Sequence, residues 1–235
     1  QVAPAAEHPF HRAALGIPAD AVVIAAFVNP LKLSRRCLRL WRDVLARLPN
    51  ARLAFSPANP ALRASYVRIA AAAGIAQDRL LFLPQGRNDA ENQSRYRVVD
   101  AVLDPMPFGN VNGTIEPLAM GVPVVTLVGR RHGERTSYSM LANLGVTSTV
   151  AQSGRDYVEI AVRLAEDESF MRETREAIAA RLPSSLLADG AAYARLAPYV
   201  CAVPAGNPLN VNTAPVAVLR ALAPQAITEA IAQRL

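Results

Sequence analysis

DPMPFGNVNGTIEPLAMGVPVVT, residues 104–126, decides the fold of this chain, because it joins two strand patterns through a turn and a short helix. The segment leaves an apolar strand at Asp104, passes through a turn rich in Gly and Asn, and re-enters the sheet directly after the helix. Glycine lets the backbone approach a bound group closely, and the free amides of a helix start favour an anion. This order of elements predicts neighbouring parallel strands that hold a diphosphate and its ribose at their carboxyl edge.

Strand-length apolar runs alternate with helical patterns on both sides of this segment. The predicted strands are 21–28, 51–55, 79–83, 101–103, 123–128 and 147–151, and the predicted helices are 34–48, 60–73, 89–98, 113–120, 134–143, 154–166, 168–181 and 186–199. Such alternation is typical of an α/β fold with a doubly wound parallel sheet. Four loops, 29–32, 84–87, 108–116 and 129–135, are expected to meet at the edge where such sheets bind ligands.

Composition narrows the classes of protein that the chain can represent. With 51% apolar and 19% charged residues it is expected to be globular, and no apolar run approaches the length of a membrane span. The net charge of +6 comes almost wholly from arginine, and Lys32 is the only lysine. Because no basic block is interleaved with aromatic residues, nucleic-acid binding is not predicted.

The spacing of the cysteines and histidines does not predict a metal site. Cys37 and Cys201 are far apart, the three histidines do not cluster with acidic residues, and a buried free thiol is expected at Cys37. Such cysteine usage suits a reducing cytoplasm. The chain begins at Gln1 with a linker-like segment and no signal peptide, so we expect it to be a piece of a larger protein.

The residues alone leave two interpretations open at each candidate position. Glu116 follows the helix start at Asn112 and is suited either to accept ribose hydroxyls or to cap the helix. Lys32 is suited to neutralise a leaving diphosphate, or is an ordinary surface lysine. His132 either donates to a phosphate or sugar or is merely solvated. Arg135 pairs either with phosphate or with a carboxylate such as Glu134.

No Ser-His-Asp, Cys-His or paired-carboxylate arrangement is found that would supply a nucleophile or a general base. If the chain belongs to a transferase, it therefore holds the donor and stabilises the leaving group. The acceptor would be activated elsewhere, or by the substrate itself.

Residues 104–129 resemble the donor-binding motif of inverting glycosyltransferases with the GT-B fold. More narrowly, they are similar to the O-linked N-acetylglucosamine transferases and SPINDLY-type proteins of family 41, and PFGNVNG at 107–113 resembles the related bacterial cytoplasmic N-glycosyltransferases. The resemblance extends over about residues 15–200. It includes FVNPLKL at 27–33, LWRDVLARLPNARL at 40–53, RLLFLP at 79–84 and YVEIAVRLAED at 157–167.

The resemblance implies roles for particular residues. It places Lys32 at the diphosphate as the catalytic residue, and Glu116 at the ribose, where many members have Asp. The remaining implied donor-binding residues are Asn110, Asn112, Gly113 and Thr114 around the phosphate-binding helix start, the backbone of Gln85 and Gly86 at the uracil, and His132 and Arg135, which match common family positions. Some members carry His-Thr-Thr where this chain has Val111-Asn112-Gly113, which leaves the acceptor atom, oxygen or nitrogen, open.

The resemblance also implies a function. The chain would be the Rossmann-like donor-binding half of a bacterial enzyme that transfers N-acetylglucosamine or a hexose from a UDP-sugar to Ser, Thr or Asn side chains. No metal or other cofactor is expected, and the partners would be the acceptor protein and an N-terminal GT-B domain with helical repeats, without which transfer would be poor. The alternatives are a non-catalytic nucleotide-binding scaffold and a sugar-nucleotide epimerase, which would need acid and base carboxylates not found in the sequence.

The sequence changes character after Val203. We therefore predict a nucleotide-sugar-binding domain at 1–203 and a helical extension at 204–235. NPLNVNTAPVAVLRAL, residues 207–222, resembles the helix-hairpin-helix start of type II secretion minor pseudopilins. A separate origin, a fusion and chance all remain open, and nucleic-acid binding is not predicted because the segment lacks the hairpin glycine.

Overall fold

A computed structural model describes residues 10–57 and 59–188 of the chain. The strands of this part are β1 (Val22–Ala25), β2 (Ala51–Phe55), β3 (Leu80–Phe82), β4 (Ala101–Leu103), β5 (Val124–Leu127) and β6 (Val150–Ala151). The α-helices are α1 (Arg35–Arg47), α2 (Pro60–Ala72), α3 (Asp89–Ser94), α4 (Asn112–Ala119), α5 (Thr136–Leu144), α6 (Gly154–Glu166) and α7 (Glu168–Arg181).

The six strands form one parallel sheet in the order β3-β2-β1-β4-β5-β6. In register, Ile24 of β1 lies beside Leu53 of β2 on one side and Ala101 of β4 on the other. The strand order reverses between β1 and β4, and ligands of doubly wound sheets bind at such a switch point. The predicted α/β fold with a doubly wound parallel sheet is confirmed.

The sheet is buried because helices cover both of its faces. All four residues of β5 are buried, as expected of a central parallel strand. One apolar layer contains Trp41, Phe55 and Tyr157, and the layer on the opposite face contains Leu118 and Leu141. Burial of large apolar side chains such as these stabilises the domain by about 1.5–3 kcal/mol each.

Helix α1 forms where the sequence predicted it, from a capping serine to a terminal leucine. Ser34 caps it by accepting a hydrogen bond from the Cys37 amide at 3.1 Å. The Ser34 hydroxyl also donates to the Met106 carbonyl at 2.6 Å, so this cap ties the start of α1 to the segment after β4. Cys37 is buried and free, and burial raises the pKa of its thiol to about 12.

A buried hydrogen-bond chain joins α1 and α6 to the end of β4. The Trp41 indole donates to the Tyr157 hydroxyl at 3.1 Å, and that hydroxyl donates to the Asp104 carbonyl at 2.9 Å. Because both tyrosine contacts are buried, losing either one would leave a polar group unpaired at a cost of about 1–3 kcal/mol. The chain fixes the backbone at the point where β4 gives way to the functional loops.

Several element bounds differ from the prediction. The first strand ends at Ala25 rather than Val28, since the Val28 amide turns back to the Ala26 carbonyl. The predicted helix 89–98 is α-helical only to Ser94 and continues as a 3₁₀ helix to Val98.

The helix predicted at 134–143 starts at Thr136, after a 3₁₀ turn at His132–Glu134. In that turn, the Glu134 carboxylate accepts hydrogen bonds from the Arg130 and Arg131 amides. These contacts hold Glu134 in the loop before α5.

The predicted domain boundary at 203, the helical extension at 204–235 and all but the first three residues of the predicted helix 186–199 lie outside the described residues. Within the described part, none of the helices has the length and apolar character needed to span a bilayer.

Candidate functional site

The loop after β1 brings Lys32 to the turn that follows β4. Lys32 ends a 3₁₀ turn, Pro30–Lys32, which begins where the Asn29 side chain accepts the Leu31 amide at 3.0 Å. Its ammonium lies 3.3 Å from the Asn110 side-chain oxygen and 3.5 Å from the Gly109 carbonyl. The one lysine of the sequence therefore stands at the sheet's switch point, beside the predicted anion-binding turn.

The start of α4 has no side-chain cap. Val111 occupies the N-cap position, and its side chain cannot accept the amides that a helix start leaves unpaired. Asn112 is exposed and Gly113 is half-buried, so both predicted residues lie at the surface of this helix start. Unpaired amides and the helix dipole together favour an anion here.

Thr114 is placed differently from the other predicted phosphate-binding residues. It is fully buried, and its hydroxyl lies 2.8 Å from the Ser137 hydroxyl on α5. The threonine side chain thus joins α4 to α5 and does not face the edge of the sheet. Asn110 is also buried, at 6% exposure, and its carbonyl accepts the Ser137 hydroxyl at 3.2 Å.

Asp104 is a residue of this region that the sequence analysis did not select. It lies at the end of β4 and is 3% exposed. Its two carboxylate oxygens accept hydrogen bonds from the Asn110 amide and the Thr126 hydroxyl, each at 2.8 Å. Burial raises the pKa of Asp104 to about 6, against these hydrogen bonds and the charge of Lys32. The signal in the sequence was an acidic residue directly after a buried strand.

Glu116 lies on α4 at the side that faces the loop before β4. Its carboxylate accepts a hydrogen bond from the Tyr96 hydroxyl at 3.4 Å, so it does not cap the helix. Burial raises the pKa of the Tyr96 hydroxyl above its ordinary value, and the nearby Glu116 charge acts in the same direction. Arg95 packs over the Phe27 ring at 5.1 Å beside this pair. Half-buried Glu116 remains open to a ligand's hydroxyl groups.

The predicted uracil loop is held by α3. Gln85 is exposed, whereas the Gly86 amide donates to the Asn92 side chain at 2.8 Å. A side chain at Gly86 would place its Cβ 2.5 Å from the Asn92 backbone nitrogen, so the glycine allows the loop to pack on α3. Gln85 remains exposed beside this glycine.

His132 and Arg135 lie in the loop after β5. His132 is exposed, and Arg135 donates to the Gly129 carbonyl at 3.0 Å while its guanidinium stacks over the Tyr138 ring at 4.7 Å. Arg135 is not paired with Glu134, whose carboxylate accepts backbone amides that lower its pKa.

The loops after β4 and β5 are joined directly, because the Gly109 amide donates to the Gly133 carbonyl at 3.1 Å. His132 therefore lies in a loop that is hydrogen-bonded to the turn between β4 and α4. Over residues 10–57 and 59–188, we find no group of three His, Cys, Asp or Glu side chains arranged to hold a metal ion.

A doubly wound sheet with an uncapped helix start and a lysine at its switch point is the arrangement of a Rossmann-like domain. The comparisons with known proteins identify its family. The model of glycosyl transferase family 41 matches residues 7–196, and the chain belongs to this family.

Curated relatives show the same kinship. A protein of Oryza sativa subsp. japonica, named a probable UDP-N-acetylglucosamine–peptide N-acetylglucosaminyltransferase SPINDLY, is 29% identical over 178 residues. The match covers 74% of this chain and 19% of the rice protein. This chain therefore spans about a fifth of the length of the curated relatives that it matches.

Solved structures share the architecture. A mutant O-GlcNAc transferase of Thermobaculum terrenum superposes with a TM-score of 0.66 and 26% identity, over 82% of this chain and 38% of that one. The C-terminal CMP-Kdo binding domain of WaaA from Acinetobacter baumannii gives a TM-score of 0.52 at 14% identity, covering 73% of this chain and 93% of that domain. The second likeness concerns the fold alone. The fold is the Rossmann-like half of the GT-B architecture.

Proposed function

We propose that this chain is the donor-binding half of an inverting protein glycosyltransferase and that it binds a UDP-sugar. The observation that carries the proposal is the meeting of the Lys32 ammonium with the uncapped start of α4 at the switch point of a family 41 domain. A cation and a helix start at one point are suited to a diphosphate, the group that leaves when a UDP-sugar reacts.

The proposed reaction is a displacement at the anomeric carbon of the sugar. The acceptor atom forms a bond to that carbon as the bond to the diphosphate oxygen breaks, with inversion of configuration. Negative charge then builds on the departing UDP, and Lys32 and the α4 amides are placed to stabilise it. Because these groups supply the positive charge, the proposal uses no metal and no other cofactor.

The nucleoside is proposed to extend from α4 toward the loop after β3. Glu116 would accept the ribose hydroxyls, and its hydrogen bond with Tyr96 holds the carboxylate in place. The exposed Gln85 and the carbonyls around Gly86 would meet the uracil. His132 and Arg135, on the loop after β5, would lie near the phosphate or sugar, Arg135 through a guanidinium already fixed on Tyr138.

The wider partners are proposed from the relatives. Proteins named as peptide N-acetylglucosaminyltransferases support a protein acceptor and N-acetylglucosamine as a donor sugar, with a hexose and an Asn acceptor as the other options. The chain covers 38% of the T. terrenum protein, which supports an N-terminal GT-B domain as the other wall of the active cleft. We accordingly expect this chain alone to bind UDP but to transfer sugar poorly. The proposed location of the protein is the cytoplasm.

Calorimetry with UDP, GDP and ADP tests the proposal on the full chain. UDP is expected to bind most tightly, and Lys32→Ala and Glu116→Ala are each expected to weaken its binding about tenfold, the range of a lost charge-assisted contact. Glu173→Ala, which removes an exposed carboxylate on α7, is the matched control and should leave affinity unchanged. A folded wild-type chain that does not bind UDP would contradict the proposed function. Site variants that both bind UDP as tightly as the wild type would contradict the assignment of Lys32 and Glu116 to the binding site.

A further inference from the structure

The buried carboxylate of Asp104 has no direct contact with a cation, which makes its retention in the fold costly. An ionised group out of water needs compensating hydrogen bonds, and Asp104 receives them from the Asn110 backbone amide and the Thr126 and Ser137 side chains. At 3% exposure it lies behind the turn rather than in the open edge. Asp104 therefore does not itself reach the edge of the sheet, and its hydrogen bonds act on the residues of the turn.

Asn110 is one of these residues of the turn. Its backbone amide donates a hydrogen bond to the Asp104 carboxylate at 2.8 Å, and its side-chain oxygen accepts one from the Lys32 ammonium at 3.3 Å. The Asn110 carbonyl is held separately by the Ser137 hydroxyl at 3.2 Å. A continuous series of contacts thus runs from the buried carboxylate to the exposed edge and ends at Lys32.

Two glycines show how closely this arrangement is packed. A Cβ at Gly109 would lie 2.6 Å from the Thr136 hydroxyl oxygen and 3.3 Å from an Asp104 carboxylate oxygen. A Cβ at Gly113 would lie 2.8 Å from the Asn110 side-chain nitrogen. The turn is therefore closely packed where Asp104 holds the Asn110 backbone amide.

We propose that Asp104 is a positioning residue of the donor site: it fixes Asn110, which in turn holds the Lys32 ammonium toward the start of α4. The inference rests on the proposed function, since it assigns the purpose of this contact series to a diphosphate bound beside Lys32. Asp104 itself does not touch the ligand.

The charge state of Asp104 determines the conditions of the test. Its pKa is raised to about 6 by burial, and the titratable groups that face it are Lys32 and the buried Cys37 and Tyr157. Burial raises the pKa of both Cys37 and Tyr157 well above neutrality, so they stay uncharged at pH 8. At that pH Asp104 is ionised and accepts its hydrogen bonds.

The experiment is a double-mutant cycle by calorimetry at pH 8 on the full chain. The variants are Asp104→Ala, Lys32→Ala and the two combined, titrated with UDP and, separately, with uridine. Asp104→Ala is expected to weaken UDP binding about tenfold in the wild-type background and less than about twofold when Lys32 is already absent. Uridine, which has no phosphate, should bind all variants alike.

Asp104→Asn provides the conservative comparison. An Asn oxygen can still accept the Asn110 amide, so UDP affinity should stay within about threefold of the wild type. If Asp104→Ala does not fold, Thr126→Val replaces it, because it removes the Thr126 hydrogen bond to Asp104 and its effect must likewise vanish without Lys32.

Two results would overturn the inference: an equal loss of UDP affinity with and without Lys32, or an equal loss for uridine. Either result would show a general structural role for Asp104 while leaving the proposed function standing. Failure of the wild-type chain to bind UDP would instead remove the proposed function, and the inference with it.

Discussion

Gly113 lies at the start of α4, where a side chain would press directly on Asn110. A Cβ there would lie 2.8 Å from the Asn110 side-chain nitrogen and 3.0 Å from its Cγ, so the Asn110 side chain, which contacts Lys32, must shift. Gly113→Ala is therefore expected to weaken UDP binding about tenfold, because small displacements of positioning groups are costly. Calorimetry checks the affinity, and the thermal midpoint reports whether the fold is retained.

Gly133→Ala is the matched control for that substitution. Gly133 lies in the adjoining loop after β5, and a Cβ there would meet only the Phe108 ring, at 3.9 Å, an ordinary contact distance. UDP affinity should therefore be unchanged in this variant. If both alanine variants bind UDP like the wild type, the contact between Asn110 and Lys32 is not needed for binding.

The stability contribution of Asp104 is expected to depend on pH in an unusual direction. Its folded pKa, about 6, lies above its ordinary value of 3.8, so the folded state favours the protonated carboxyl. Stability from this group is present below about pH 4 and is lost as pH rises through 6. Urea unfolding measures the free energy of unfolding of the wild type and of Asp104→Asn at pH 4.5 and 7.5. Between these two pH values the wild type should lose about 1–3 kcal/mol relative to the variant.

Asp167→Asn tests the same linkage with the opposite sign. Asp167 caps α7, and hydrogen bonds from Ser169 and the Phe170 amide lower its pKa to about 2. The stabilisation of the folded state by Asp167 is present above its unfolded pKa and is lost as pH falls toward 2. The free energy of unfolding of the wild type should therefore rise relative to that of this variant as pH rises. Two carboxylates that changed stability in the same direction would contradict the assignment for Asp104.

At the scale of elements, one arginine connects α1 to two strands. The Arg79 guanidinium donates to the Leu45 and Leu48 carbonyls at the end of α1, at 3.0 and 2.6 Å, and to the Ala51 carbonyl at 3.0 Å. A helix end leaves its last carbonyls unpaired, and a cation there also opposes the helix dipole favourably. Arg79→Met, which keeps the aliphatic stem, is expected to lower the free energy of unfolding by about 1–3 kcal/mol.

Arg47→Met is the control at the same end of α1. Arg47 is exposed and pairs with Glu159 on α6 at 2.8 Å, a surface ion pair that contributes less than about 1 kcal/mol. Chemical denaturation of both variants should therefore rank Arg79 well above Arg47. Equal effects would mean that charge at the helix end, and not the three carbonyl contacts, provides the stabilisation.

Most elements were predictable because their signals are local. The second strand, Ala51–Phe55, and the fourth, Ala101–Leu103, have the predicted bounds, since apolar runs and flanking breakers define them. The start of α5 was not predictable in this way, because Glu134 bonds to loop amides that only the folded turn brings near. The helical pattern continues through Glu134, but these local side-chain hydrogen bonds favour the 3₁₀ turn there.

The site was predictable in its exposed part and not in its buried support. Lys32, Glu116 and the α4 start carry signals of residue type and spacing, and the sheet topology brings their loops to one edge. Asp104 carries only the signal of an acidic residue directly after a buried strand, because its hydrogen bonds with Asn110 and Thr126 appear only in three dimensions. That Thr114 is turned inward to Ser137 could likewise not be read from the helix-start pattern.

At the scale of the whole molecule, the predicted boundary at 203 lies beyond every candidate site residue in the sequence. The family match ends at residue 196, and every candidate site residue lies between 32 and 135. Both apolar core clusters of the described residues lie within residues 10–187. Removing residues 204–235 therefore takes away no described core or site residue.

A chain shortened to residues 1–203 is accordingly expected to bind UDP within about twofold of the full chain and to melt within about 2 °C of it, a difference well below that of one lost core contact. Calorimetry and thermal unfolding measure the two quantities on the same preparations. Shortening to 1–170 is the contrasting control, because it removes most of α7 with the buried Thr174 and Ile178 and should unfold the domain. A large loss of UDP affinity in the 1–203 chain would show that the extension belongs to the donor-binding unit.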